Sequence, residues 1–192
     1  MAILVKERKT YYYANIGKDG RMRLRSRQED GSYKEQFVPG VSGLITNIKK
    51  TTGEYEGKKV ERVEVTITDG EESYILSVSR YSTYGRGLIN KLHNVNLNKK
   101  VDIEVFVSQY EGRSFAHAII SQNNEPVKAK FDKDTIPKVK KVMAGKKEYD
   151  DTSERDEWTD NKLDELINDM KEKPAATAHD EVFEEELADL PF

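Results

Sequence analysis

The side chains able to do chemistry in this 192-residue sequence are cations set beside flat rings. Tyr55 stands among Lys49, Lys50, Lys58 and Lys59, and Tyr110 is followed by Arg113 and Phe115. Between these clusters lie Arg62, Tyr74, Arg80, Tyr81, Tyr84 and Arg86. Near the N-terminus Arg21, Arg23, Arg25 and Arg27 alternate with Met22, Leu24 and Ser26. Cationic groups neutralise a phosphate backbone, and aromatic faces stack on unpaired bases at about 1–3 kcal/mol per base without demanding a particular sequence. Strand propensity alone accounts for many tyrosines. Tyr55 and Tyr110 differ, because they sit among glycine and charged residues where no core calls for a ring.

Other chemistries find no footing. The chain has no cysteine, which removes disulfides and thiolate metal sites, and His93, His117 and His179 stand apart from one another. There is no P-loop and no dinucleotide fingerprint. Gly40-Val41-Ser42-Gly43 fits the bare GxxG of a KH loop, but strands follow it where that module needs helices. Glu61 and Glu64 flank a cationic strand and read as salt-bridge partners, and no nucleophile has a base in reach of its pattern. The expectation is a protein that is not an enzyme and needs neither cofactor nor metal.

Thirty-six per cent of residues are hydrophobic and 35% charged, little apolar material for a wholly folded chain of this length. The net charge of −3 conceals a division. Residues 150–192 hold 4 basic and 16 acidic side chains, and residues 1–149 hold 28 basic and 19 acidic. A body at +9 joined to a segment at −12 is the asymmetry of a polyanion binder carrying its own competitor. The opening apolar run Ile3-Leu4-Val5 is too short for a signal peptide or a membrane span, so a cytoplasmic location with no membrane contact is expected.

The elements that must position these residues are mostly strands. Thr10–Ile16, a Gly17-Lys18-Asp19-Gly20 turn and Arg21–Arg27 predict an N-terminal hairpin whose four arginines share one face. That stripe is either a binding surface or a charged outer strand protected from edge pairing. Val41–Thr51, Lys59–Thr68 and Ser73–Arg80 read as three strands, with 52–57 as a loop. Ser82 or Thr83 caps a short helix bearing Leu88, Ile89 and Leu92, although Gly85 and Gly87 weaken it. Lys100–Ser108 and Arg113–Gln122 complete five strands, and Val101, Ile103, Val105 and Val107 point inward. Three strands, a helix and two strands is the order of the OB-fold, a five-stranded Greek-key barrel. The predicted fold is therefore mainly β, and it requires a closed barrel before Pro126. A basic, mostly irregular arm follows to residue 149, then a short helix over about 160–171 within a linker of 150–173.

The last thirteen residues, six of them Asp or Glu, end on Asp189-Leu190-Pro191-Phe192. So dense a run of like charge predicts a disordered tail over 174–192, and an exposed terminal Phe with its carboxylate suits capture in an apolar pocket rimmed by cations. This ending resembles the tail of single-stranded DNA-binding proteins of bacteria and their phages, which closes on several aspartates and Ile-Pro-Phe. Leu190 replaces the usual isoleucine, and glutamates replace some aspartates. The resemblance implies that residues 1–149 coat single-stranded DNA in replication, recombination or repair. It also implies that Asp189, Leu190, Pro191 and Phe192 recruit replication and repair proteins. An OB ligand face lies over its second and third strands and two flanking loops. That assigns DNA contact to Arg21, Arg23, Lys49, Lys50, Tyr55, Lys59, Arg62, Tyr74, Arg80, Tyr81, Tyr84, Arg86, Tyr110, Arg113 and Phe115. The sequence leaves room for a homo-oligomer. It also leaves open an RNA or duplex-DNA module, and an acidic interaction adaptor or DNA mimic in which the tail is the active part.

Overall fold

Alternation decides which side of each strand is buried. In the computed structural model, residues 10–16, 19–55, 57–145 and 147–172 are described. The strands are β1 (Thr10–Ile16), β2 (Met22–Arg27), β3 (Tyr33–Val38), β4 (Gly40–Tyr55), β5 (Lys58–Asp69), β6 (Glu72–Ser79), β7 (Val101–Tyr110), β8 (Arg113–Gln122) and β9 (Glu125–Pro126). They form one nine-stranded sheet in the order β3-β2-β1-β6-β5-β4-β7-β8-β9. Neighbours are antiparallel except β1 and β6, which run parallel from the Thr10–Glu72 pair to the Ala14–Leu76 pair.

The strand β4 joins the two halves of this sheet. Its first residues, Gly40–Gly43, pair with β7, and the rest pairs with β5 across a register shift between Ile45 and Asn47. Such a shift bends a strand and increases its twist. The sheet curls far enough for the turn between β1 and β2 to meet β7. A Cβ added at Gly20, whose φ is +73°, would lie 2.7 Å from a Val107 methyl, so glycine is demanded there twice over.

The expected closed five-stranded barrel is not formed. No ladder among the described residues closes the sheet, which is open and mixed with β3 and β9 at its edges. The edge of β6 is already taken by β1. The predicted hairpin is accordingly a three-stranded meander, extended by β3 through the pairs Met22–Val38 to Arg27–Tyr33.

One side of the sheet holds the core. Val63, Val65 and Ile67 of β5 are fully buried, as are Val101 and Ile103 of β7, whereas Val107 at the end of the predicted inward set is only half-buried. The helix α1 (Thr83–Leu92) covers this side with Leu88, Ile89 and Leu92, and its N-terminus is capped by Ser82, whose side chain accepts from the Gly85 amide. Gly85 supports the helix rather than weakening it, because a Cβ there would meet the Ser79 carbonyl oxygen at 2.2 Å. The helix α2 (Ser153–Glu172) begins earlier than the 160 expected and docks Leu163 and Leu166 into the same core. It packs on β4 and α1 and does not merely space the tail.

The arm before α2 is more regular than expected. It contains a separate two-stranded ribbon of β10 (Lys140–Ala144) and β11 (Lys147–Asp151). Upstream of the ribbon, Phe131 packs edge-on against Trp158 and His93, and its backbone amide donates to Asn90 Oδ1. No described helix is long and apolar enough to cross a membrane.

Candidate nucleic-acid interface

The opposite side of strands β3-β2-β1-β6-β5-β4 faces solvent, and the register states which residues share it. Pairing Arg25 with Tyr13, Arg23 with Asn15 and Tyr13 with Ile75 puts Tyr11, Tyr13 and Asn15 on the same side as the arginine stripe. The β2–β3 pairs add Phe37, Glu35 and Tyr33 opposite Arg23, Arg25 and Arg27. From β5 come Arg62, Glu64, Thr66 and Thr68, and from β4 come Asn47, Lys49 and Thr51. Along β6 the residues are small, Ser73, Ile75 and Ser77, and all three are buried beneath the longer side chains around them. The face is hollowed along β6 and rimmed by rings on one side and cations on both.

Rings and cations touch along the meander. The Arg25 guanidinium lies 4.2 Å from the centre of the Tyr33 ring, and that of Arg21 lies 4.9 Å from Phe37, a ring that is 52% exposed. Stacked guanidinium and ring present one planar surface that carries charge. The carboxylates paired with these cations are Asp19 with Arg21 at 2.7 Å, Glu35 with Arg25 at 3.4 Å and Glu64 with Lys49 at 3.5 Å. The Asp19 and Glu35 pairs are exposed and contribute little, whereas Glu64 is buried. In the hollow, Arg62 donates from Nε to Ser77 Oγ at 2.8 Å and from its terminal nitrogen to the Ser77 carbonyl at 3.0 Å. Burial lowers its pKa while Glu64 raises it. Burial, followed by Glu64, Tyr33 and Tyr11, pushes the Tyr13 hydroxyl up to about 12.

The structure divides the residues expected to contact DNA. Arg21, Arg23, Lys49 and Arg62 lie on the outer face. Tyr74 lies on the core side, stacked on Tyr12 with centroids 5.5 Å apart, because the alternation that buries Leu76 and Val78 carries it inward. Lys50, Arg80, Tyr81 and Arg86 are held by α2. Lys50 pairs with Asp164 at 2.7 Å, Arg80 with Asp160 at 2.7 Å and Glu61 at 3.2 Å, and Arg86 with Asp156. The Tyr81 hydroxyl donates to Asp160 at 2.8 Å. Lys59 pairs with Glu61 at the far end of the β4–β5 ribbon. Tyr84 sits in the first turn of α1.

Tyr55 is not in a loop as expected, since β4 and β5 stay paired to the Tyr55–Lys58 pair and only a tight turn remains. Tyr110 and Arg113 pair across the turn at Glu111 and Gly112, and Phe115 lies opposite Ser108. The side chains of Tyr55, Tyr110, Arg113 and Phe115 fall outside the described residues, as do Asp189, Leu190, Pro191 and Phe192. Sequence reasoning passed over Tyr13, Tyr33 and Phe37. Hairpin parity signalled the first, because Tyr11 and Tyr13 must share a side opposite Tyr12.

Among the described residues no group of histidines and carboxylates has the arrangement of a metal site. Fold and face together define a β-rich chain with one apolar, helix-covered side and one side of cations and rings. Comparison with protein-family models, curated proteins and solved structures gives no match.

Proposed function

We propose that the outer face of β3-β2-β1-β6-β5-β4 binds single-stranded DNA without strong sequence preference, and that the acidic C-terminal segment recruits replication or repair proteins and competes with DNA for the face. The observation that carries the first part is the register that brings Arg23, Arg25, Tyr13, Tyr33 and Phe37 onto one side with Lys49 and Arg62. A groove that tracks phosphates and offers rings to bases is what unpaired strands require. The ending Asp189-Leu190-Pro191-Phe192 supports the second part through its resemblance to the tails of single-stranded DNA-binding proteins.

The closed barrel on which the sequence-based assignment depended is not formed, so the reading rests on the outer face and the tail ending instead. It is compatible with an opened OB arrangement, in which β4, β5, β6, α1, β7 and β8 keep the order and the antiparallel neighbours of that fold and β1 lies along β6 where a closing strand would pair. The test is fluorescence polarisation of labelled oligo-dT against the full chain and a chain ending at residue 173, titrated with salt. Affinity falls as salt rises, and the shortened chain binds more tightly at low salt. No binding in dilute buffer overturns the DNA reading. Equal or weaker binding by the shortened chain overturns the competition.

A further inference from the structure

Two planar groups lie stacked on the solvent side of β7 and β8, the part of the sheet that the face of β3-β2-β1-β6-β5-β4 leaves out. The pairs Ile103–Ile120, Val105–Ala118 and Phe106–His117 set Phe106 and His117 on the side opposite the buried Ile103 and Val105. Their ring centres are 5.0 Å apart and their planes 22° from parallel. Both residues are exposed, Phe106 by 42%. Ser108, on the same side of β7, hydrogen-bonds His117 Nε2 through its hydroxyl at 2.6 Å and holds the imidazole in place. One exposed phenylalanine on a strand needs no explanation. A near-parallel pair of rings, pinned by a hydrogen bond and open to water, is a flat surface set in advance, and Phe106 takes no part in the hydrophobic core.

The meander brings a second planar pair up to this one. The Pro39 carbonyl accepts from the Val105 amide at 2.8 Å, and a Cβ added at Gly20 would stand 3.0 Å from the Phe106 carbonyl carbon. Arg21 directly follows Gly20, Phe37 shortly precedes Pro39, and the Arg21 guanidinium lies over the Phe37 ring. The exposed phenylalanines of the described residues, Phe37 and Phe106, therefore flank the line where the curled sheet sets the meander against β7. Charge gives a path across that line its direction. Asp102 and Glu104 lie back along β7 on the side of Phe106 and repel phosphate, whereas Arg21 attracts it from the meander side. A phosphate chain leaving Phe37 is directed over Phe106 and His117 towards the turn between β7 and β8, away from Asp102.

We infer that Phe106 and His117 are base-stacking residues, a second platform onto which a single strand bound at the outer face continues after crossing from Phe37. The inference rests on the DNA-binding reading of the outer face and extends its footprint onto β7 and β8. Unpaired bases stack on phenylalanine and histidine rings alike, and such stacking accepts any base.

The test measures the affinity of the full chain for oligo-dT and for an abasic oligomer of equal length, in the unaltered protein and in Phe106→Ala, His117→Ala, His117→Phe and Phe37→Ala. A thermal melt establishes that each variant is folded. Phe106→Ala weakens oligo-dT binding about tenfold, with the salt slope unchanged because no cation is removed. His117→Ala weakens it less, and His117→Phe, which restores a ring, recovers the affinity. The abasic oligomer, which has nothing to stack, binds the unaltered protein and the Phe106 and His117 variants alike. If Phe106→Ala leaves oligo-dT affinity unchanged while Phe37→Ala lowers it, or if it weakens abasic binding just as much, the second platform is overturned and the outer face stands. Self-association of the unaltered protein in sedimentation that Phe106→Ala abolishes overturns it too, in favour of an interface between copies. Failure of the unaltered protein to bind either oligomer overturns the DNA reading and the platform with it.

Discussion

Arginine and tyrosine appear on both sides of this sheet and do different work on each. On the core side Arg80 is 5% exposed, and its terminal nitrogens reach Asp160 and Glu61. Tyr81 donates to the same Asp160, and Arg86 meets Asp156. These cations are spent on fastening α2. On the outer face Arg21 and Arg25 lie against rings, and their carboxylates are exposed and exchangeable. A guanidinium is available to an external anion where it is itself exposed, and Arg80, with a side chain only 7% exposed between Asp160 and Glu61, is not. Counting basic residues along a chain cannot separate the two states, but burial and pairing can.

The sharpest way to break this comparison is Arg80→Ala. It leaves Asp160 without its cation and Glu61 with Lys59 alone, and because both carboxylates are about one-third exposed, water softens the loss to about 2–3 kcal/mol. The melting temperature falls by about 5–10 °C, while affinity for oligo-dT below the melt is unchanged. A loss of affinity with no loss of stability would reverse the assignment of the two sides. Phe37→Ala follows with the opposite signature. Stacking of about 1–3 kcal/mol per base is removed, so the dissociation constant rises about tenfold or more, and a ring half in solvent leaves the melt nearly unmoved.

Arg23→Ala has a smaller effect on affinity. Its diagnostic is the salt titration, whose slope on logarithmic axes shrinks by about 0.7 for each phosphate of a single strand that the variant no longer neutralises. The smallest effect belongs to His93, on the core side. Its Nε2 donates to the Lys162 carbonyl at 3.0 Å, and burial first, followed by the nearby Lys162 charge, holds its pKa below the ordinary value against the opposing pull of that hydrogen bond and of Glu165 and Asp169. The unfolded chain therefore takes up the proton first as pH falls below the ordinary histidine value. Stability is intact above that value and declines as pH drops through the depressed one. Thermal melts from pH 7.5 to pH 5 record the decline, and His93→Gln flattens it. None of this touches the outer face, so oligo-dT affinity of His93→Gln equals that of the unaltered protein.

What the sequence disclosed follows the range over which each signal acts. Alternation within a strand is local, and it correctly separated Met22 and Leu24 from Arg23 and Arg25, and placed Val101, Ile103 and Val105 inside. Ser82 as a helix cap is equally local. The same parity applied to Leu76 and Val78 places Tyr74 inside, so that residue was legible and was overridden by its position on a presumed ligand strand. Arg80, Tyr81 and Arg86 were not legible, because the carboxylates that claim them lie 70 to 80 residues away on α2. Nor was the open sheet. Strand order alone suits a closed barrel, and only the parallel pairing of β1 with β6 shows which neighbour occupies that edge.

That parallel ladder also governs when the outer face can first be assembled. The Tyr12 hydroxyl bonds Glu72, 60 residues further along the chain, and β1 has no other support on that flank until β6 exists. Contacts so distant carry a large closure entropy and form late. The meander precedes β6 in the chain yet is seated late in folding, and the rings and arginines it bears converge with Arg62 and Lys49 only then. A chain that stops before β6 lacks the partner strand on which β1 is seated, and so lacks the assembled outer face.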